Sequence, residues 1–499
     1  MRSAVFDTEH SPYRKLLAHA GITYGDLAAM VDKTGVEDAL RTLCRHGVYL
    51  TVNEFKGRQP VVRGSLQMTV HPALFANALT PVHIPTHSSG SGGRQTVGGI
   101  NLRHLRDQAV GLCLFLEARG RERWIHGHCG IPGGSALHAM LRLSCAGLPP
   151  SVWFSHVDTS APTVHARYRW SIRLVRWGSW LAGRPLRPPR YVRPDDPSPI
   201  IEWIRQVREQ GLVPHLRCTP STAVQICSAA TDAGVDVTGT EFTPGGEPLT
   251  AARMAVITRA GARAVSQYAS VESGHIGYGC LAPSAPDDHH LLSDLQAVIQ
   301  PGRDAGHPCL PSDAILLTSL RNTAPFILLN VSSGDVGCIE ERACGCPLER
   351  LGWRLHLHTI RGLAKLTTGG MTLLDADVVR ILEEVLPARF GGRPTHYQLV
   401  EDERHDGRPM LRLLVHPSVG PLDEDAVADT FLSTIGTANG AARVMELFWR
   451  DAGVLRVERR APLATTTGKI LHLHQGPTDT APEAREHPRG TTPERMARR

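Results

Sequence analysis

Beyond residue 94, short apolar runs alternate with helix-length segments, and glycine or proline stands at the joins. That alternation narrows the fold more than any other feature of the chain. Apolar runs that pair into a sheet, separated by helices that cover it, give an α/β layered architecture. Ala109–Ala118, Val152–Phe154 and Asp236–Thr240 are the expected strands, and Ile200–Gln210, Ser221–Ala233 and Thr250–Ala260 the expected helices. Residues 11–56 read as helices with short breaks, among them Gly35–Cys44.

With 499 residues, the chain is long enough for two or more domains, each with its own core. A hydrophobic fraction of 41% and a charged fraction of 20% are those of a globular protein in water. The most apolar stretch, Ala314–Val331, is broken by Arg321, Asn322 and Pro325, so no transmembrane helix is expected. The first residues carry no apolar signal core, and 11 cysteines then point to reduced thiols or metal and a cytoplasmic setting. The net charge of +6 is modest, and only five of the 54 basic residues are lysines: 15, 33, 56, 365 and 469. A nucleic-acid protein ordinarily shows a denser basic surface, so no nucleic-acid partner is expected.

The character changes after about residue 360. Asp375–Leu386, Leu422–Leu432 and Gly440–Asp451 read as helices, and Thr395–Glu401, Met410–His416 and Val454–Arg459 as strands. The expected organisation is a large layered α/β domain over 1–360 and a small α+β domain over 361–476. A tail over 477–499, rich in Pro, Thr, Glu and Arg, is expected to be disordered.

Five short stretches carry the chemistry. His87-Ser-Ser-Gly-Ser-Gly-Gly-Arg94 concentrates small hydroxyls, glycines and one cation, which suits either an anion-binding loop or a flexible linker. Thr243-Pro-Gly-Gly-Glu-Pro-Leu-Thr250 is a glycine turn before a helix. Tyr268-Ala-Ser-Val-Glu-Ser-Gly274 puts an aromatic face and a carboxylate on one loop. Asn330-Val-Ser-Ser-Gly-Asp335 reads as an acid in a tight turn, and Pro462-Leu-Ala-Thr-Thr-Thr-Gly-Lys469 as a lysine in a flexible loop.

Taken in order, with Arg361-Gly362 between the last two, these motifs resemble those of the acyl-adenylate-forming superfamily, and most of all its phenylacetate–CoA ligase branch. The resemblance spans roughly residues 10–475. It implies an enzyme that joins a carboxylic acid, aromatic in that branch, to the α-phosphate of ATP and passes the acyl group to a thiol of CoA or of a carrier protein. By motif position, Ser88, Ser89, Gly90, Ser91, Gly92, Gly93 and Arg94 would cradle the triphosphate, with Gly246 and Glu247 in the second glycine turn. Tyr268 would stack on adenine, Glu272 would hold Mg²⁺, Asp335 would accept from the ribose hydroxyls, and Arg361 would lie near the ribose. Lys469 would bring a compact positive charge to the carboxylate and α-phosphate. This chain departs from the family pattern at Gly92, Ala269 and Val271, and it lacks an acid after Arg361. A binding protein of the same fold, stabilised by zinc and impaired in catalysis, is the alternative.

Cys280, the run Asp287-Asp-His-His290 and Cys344-Gly-Cys346 offer one further site: three thiolates and one imidazole suit tetrahedral Zn²⁺. Some members of the phenylacetate–CoA ligase branch have a similar site, and that pattern favours Cys280, His290, Cys344 and Cys346, with Cys338 as an alternative ligand. His126-x-His128-Cys129 has metal-like spacing but no further ligand, and reads as packing. The segment 167–193, rich in Arg and carrying Trp170, Trp177 and Trp180, reads as an aromatic packing face with snorkelling arginines or as a phosphate- or membrane-surface segment. The oligomeric state stays open, a homodimer included.

Overall fold

The computed structural model describes residues 1–87, 97–130, 133–158, 173, 176–177, 179–180, 185–193, 196–246, 249–302, 310–362, 365–368, 371–374, 378, 380–392, 396–403, 409–437, 440–463 and 473–475. Three sheets organise the chain. The first has six parallel strands, in spatial order Arg263–Ala264, Glu241–Pro244, Val213–Cys218, Trp124–Cys129, Val152–Ser155 and Pro189–Tyr191. Helix Leu102–Ala118 leads into Trp124–Cys129, and helices Gly134–Cys145, Ser198–Glu209, Pro220–Asp232 and Ala251–Arg259 lie between successive strands along the chain. Parallel strands covered on both faces must be apolar on both. Val152–Ser155 and Glu241–Pro244 are accordingly buried almost throughout.

The second sheet has seven antiparallel strands: Gln267–Ser270, Gly274–Gly279, His289–Leu291, Leu355–Gly362, Val331–Glu341, Ala314–Ser319 and Gln296–Ile299. The N-terminal helices pack on it: Leu16, Leu17, Leu40 and Leu43 share one core with Ile299, Ile315, Leu316 and Val331. Helix Tyr24–Thr34 begins at a capping box, in which Thr23 and Asp26 satisfy each other's backbone N–H groups. Helix Leu102–Ala118 ties the two sheets together, since Leu112, Phe115 and Leu116 join Trp124 of the first and Tyr278 of the second in one cluster. Just past its end, Arg119 is pinned by a 2.6 Å ion pair to Glu241 and a 2.6 Å hydrogen bond to Thr243 Oγ1.

The smaller C-terminal unit is a four-stranded sheet in the order Leu455–Arg459, Pro409–Val415, Tyr397–Glu403 and Leu473–Gln475. Helices Glu424–Gly436 and Gly440–Asp451 pack on it around the fully buried Trp449. A large α/β domain followed by a small β-containing one is the expected fold class.

The structure corrects three local expectations. Ala109–Ala118 is the second half of a helix, not a strand, because its apolar residues recur at helical spacing: Leu105, Leu112 and Leu116 are all buried. Asp236–Thr240 is the turn that leads into the strand Glu241–Pro244. Asp335 stands inside the strand Val331–Glu341, not in a turn. Before it, Asn330 and Gly334 take left-handed φ values of 51° and 77°. The expected disordered tail lies outside the described residues, as do 167–172, 174–175, 178 and 181–184 of the Arg- and Trp-rich segment.

Candidate active site and cysteine–histidine cluster

The antiparallel strand Gln267–Ser270 forms the edge of the second sheet, with a register shift between Tyr268 and Ala269. Successive residues on a strand face opposite sides. Tyr268 turns one way and donates its phenolic hydrogen bond to Asp335 Oδ2 at 2.6 Å. Burial, and then the Asp335 carboxylate, hold the Tyr268 phenol well above its ordinary pKa of 10, so it stays a donor. Asp335 is itself fixed by its own backbone, whose N–H donates to Ser333 Oγ at 3.1 Å. Across the ladder, Asp335 lies opposite Gly362 and Val336 opposite the exposed Arg361.

Gly245 forms a parallel bridge with Gln267, so the second glycine turn lies beside the strand that carries Tyr268. A Cβ on Gly245 would come within 2.8 Å of Gln267 Cγ and 3.0 Å of its carbonyl oxygen, and Gly246 takes a φ of 86°. Neither position accepts a larger residue without strain. Glu272, four residues after Tyr268, pairs with Lys56 at 3.2 Å. Both side chains are less than one-fifth exposed. Nothing in the sequence singled out Lys56 beyond its being one of five lysines.

The structure therefore brings together Gly246, Tyr268, Asp335, the strand that carries Arg361 and, by its chain position, Glu272. Ser88, Ser89, Gly90, Ser91, Gly92, Gly93, Arg94, Glu247 and Lys469 lie outside the described residues. As a magnesium site, Glu272 is one carboxylate already paired with an ammonium. It fits a cation that takes most of its oxygens from phosphate rather than from protein.

The four cysteine–histidine residues converge. The Sγ atoms of Cys280, Cys344 and Cys346 and a ring nitrogen of His290 all lie within 4.8 Å of one another. His290 Nε2 is 3.1 Å from Cys346 Sγ and 3.8 Å from Cys344 Sγ. Its Nδ1 sits 2.6 Å from the Trp353 carbonyl, which can only accept. Nδ1 therefore carries the proton and Nε2 presents its lone pair to the thiols, the arrangement a zinc-ligating imidazole requires. Burial keeps His290 neutral, with its pKa pushed down to about 4. For Cys346, burial raises the thiol pKa, yet backbone N–H groups of Leu281, Glu349 and Leu348 bring it below the ordinary value. Three sulfurs and one nitrogen with an ordered second shell fit tetrahedral Zn²⁺. Cys338 is exposed and takes no part in this group.

Every member of the run 287–290 is engaged. Asp287 accepts from the backbone N–H groups of Thr359 and Ile360 at 3.0 and 2.7 Å. Asp288 binds His356 at 2.8 Å and also Arg342. His289 meets Ser266 Oγ at 3.0 Å. His126 packs against His215, with ring nitrogens 2.7 Å apart, and no metal-ligand group forms around it among the described residues.

No family model and no curated protein matches the sequence. Solved structures do match the fold. A 2-hydroxyisobutyryl-CoA ligase, in complex with its acyl-AMP and CoA in the thioesterification state, is 14% identical. The match covers 95% of this chain and 87% of that one, with a TM-score of 0.58. An amide bond synthetase from Marinactinospora thermotolerans is 12% identical over 91% of this chain and 90% of that one, with a TM-score of 0.41. The o-succinylbenzoate CoA synthetase of Bacillus subtilis is 12% identical over 82% and 71%, at 0.42. The first of these comparisons shows that the chain has the fold of the AMP-forming acyl-CoA ligases.

Proposed function

We propose that this chain activates a carboxylic acid with ATP as an acyl-adenylate and then transfers the acyl group to a thiol of CoA or of a carrier protein. The observation that carries this reading is the Tyr268–Asp335 pair, held beside the Gly245-Gly246 turn and four residues before Glu272. An aromatic face with a carboxylate at its hydroxyl suits an adenosine: the ring stacks on the base and the acid accepts from ribose hydroxyls. A carboxylate oxygen of the substrate attacks the α-phosphorus, the bond to the bridging β-oxygen breaks, and pyrophosphate leaves with that electron pair. Negative charge gathers at the α-phosphoryl group, where Lys469 would supply the cation; Arg94 would stand with the triphosphate loop, and Glu272 would hold Mg²⁺, which offsets phosphate charge when bound. In the second step the thiol attacks the acyl carbon and AMP leaves.

Zn²⁺ on Cys280, His290, Cys344 and Cys346 is structural in this proposal, since protein fills all four positions. It would clamp the strand His289–Leu291 to the loop after Val331–Glu341. The motif order favours an aromatic acid. The fold neighbour solved with its acyl-AMP and CoA supports the order of the two steps.

The test is acid- and ATP-dependent release of pyrophosphate, followed by acyl-CoA formation, with Lys469→Ala alongside. The variant should lose about 10²–10³ in adenylation rate and keep its melting temperature. A Zn-loaded, folded protein that releases no pyrophosphate with any acid would instead establish the binding-protein alternative.

A further inference from the structure

On the opposite face of the same edge strand, Gln267 points into a buried polar cluster that the nucleotide site leaves unused. Helix Gly134–Cys145 places His138 and Arg142 one turn apart on a single face. Arg142 is completely buried; its Nη1 donates to Tyr278 Oη at 2.9 Å and its Nη2 to Gln267 Oε1 at 3.2 Å. Gln267 Oε1 also accepts from His275 Nε2 at 2.8 Å. Arg217, on the strand Val213–Cys218, completes the group, and its charge acts on His128, His138, His275 and Tyr278.

Two features mark this as an anion site. First, no carboxylate among the described residues pairs with Arg142 or Arg217. Elsewhere the buried Arg119 is matched with Glu241 at 2.6 Å, and the largely covered Arg63 with Glu54 at 2.7 Å. Second, several buried hydrogen-bonding atoms of this group have no partner among the described residues: Arg142 Nε, Arg217 Nε, Gln267 Nε2, His275 Nδ1 and both ring nitrogens of His128. Buried polar groups are ordinarily paired, and two like charges out of water are costly without a counter-charge. His138 and Arg217 keep some accessible surface, so space reaches them. Burial, and then Arg142, already press the Arg217 pKa down to about 9, a cost that a bound anion relieves.

The geometry points to a substrate acid with a second anionic group, a distal carboxylate that Arg142 and Arg217 hold behind the edge strand while the reacting carboxylate stays on the Tyr268 side. This inference rests on the acyl-adenylate reading above.

The wild-type protein tests it with ATP, Mg²⁺ and matched acids: hexanoate against adipate and its monomethyl ester, and phenylacetate against phenylenediacetate. The diacid should exceed its matched monoacid and half-ester in kcat/KM by on the order of 100-fold, because a site built around a charged group rejects the analogue that lacks it. Arg217→Gln should narrow that ratio at least about tenfold, chiefly through KM, and Arg142→Lys should retain part of the preference. Monoacids used as well as or better than diacids throughout would overturn the inference and leave adenylation standing. Pyrophosphate release with no acid of either kind would instead overturn the adenylation reading and this inference with it.

Discussion

Tyr268 and Asp335, 67 residues apart in the chain, are joined by a 2.6 Å hydrogen bond from phenol to carboxylate. The bond fixes the orientation of both the expected base-stacking ring and the expected ribose acceptor before nucleotide arrives. Tyr268→Phe keeps the ring and releases the carboxylate. A hydrogen bond to a charged group contributes roughly 1.5–3 kcal/mol, so the ATP KM should rise about tenfold or more with kcat little changed. Asp335→Asn should raise it similarly. Steady-state kinetics at saturating acid check both, and an unchanged KM in each variant would remove this pair from the nucleotide site.

Lys56 and Glu272 form a half-buried ion pair at 3.2 Å, which sets an ammonium against the expected magnesium ligand. Lys56→Met removes that competitor, so half-maximal adenylation should need less Mg²⁺, about two- to tenfold. Glu272→Gln should need more, since an amide is a weaker ligand for a hard cation. Magnesium titrations of pyrophosphate release decide the matter. Shifts in the same direction for both variants would contradict a shared site.

The cysteine–histidine cluster predicts about one zinc per chain in protein purified without chelator, measurable by elemental analysis. A closed structural site can contribute on the order of 10 kcal/mol to folding. Cys344→Ala should therefore lose the metal and lower the melting temperature by many degrees, and Cys338→Ala should do neither. Wild-type protein purified without chelator that carries no zinc, and whose melting temperature Cys344→Ala leaves unchanged, would refute the assignment.

Acid should destabilise the chain well above the carboxylate range. Burial, the largest cause, pushes the pKa values of His104 and His126 from the ordinary 6.5 down to about 4. Between those values the unfolded chain binds protons that the folded chain refuses. The stability these groups confer is thus complete above pH 6.5 and is lost as the pH falls towards 4, up to ~3 kcal/mol for each. The melting temperature should drop across that window, and His126→Gln should make the drop shallower. A melting temperature flat from pH 7 to pH 4.5 would contradict this burial.

Periodicity and turn chemistry made much of the fold legible. Helix Gly440–Asp451 has the bounds read from sequence, and helices Ser198–Glu209, Pro220–Asp232 and Ala251–Arg259 differ from theirs by one or two residues, because amphipathic spacing and local caps are recorded in neighbouring residues. Cys280, His290, Cys344 and Cys346 were singled out by their likeness to the pattern of the phenylacetate–CoA ligase branch, because among 11 cysteines and 25 histidines spacing alone selects no set of four. Sequence misplaced Ala109–Ala118, because a short apolar run satisfies strand and helix periodicity alike until its burial partners are known. It put Asp335 in a turn for a related reason: its Ser-Ser-Gly neighbours favour turns, whereas pairing with Leu355–Gly362 is a long-range choice. The Tyr268–Asp335 bond, the Lys56–Glu272 pair and the stranded Arg142–Arg217 cluster left no local trace. Each depends on which residues two sheets and a bridging helix bring face to face, and on how little water remains there to screen a charge or satisfy a donor. Local sequence fixes neither, so only the tertiary structure decided them.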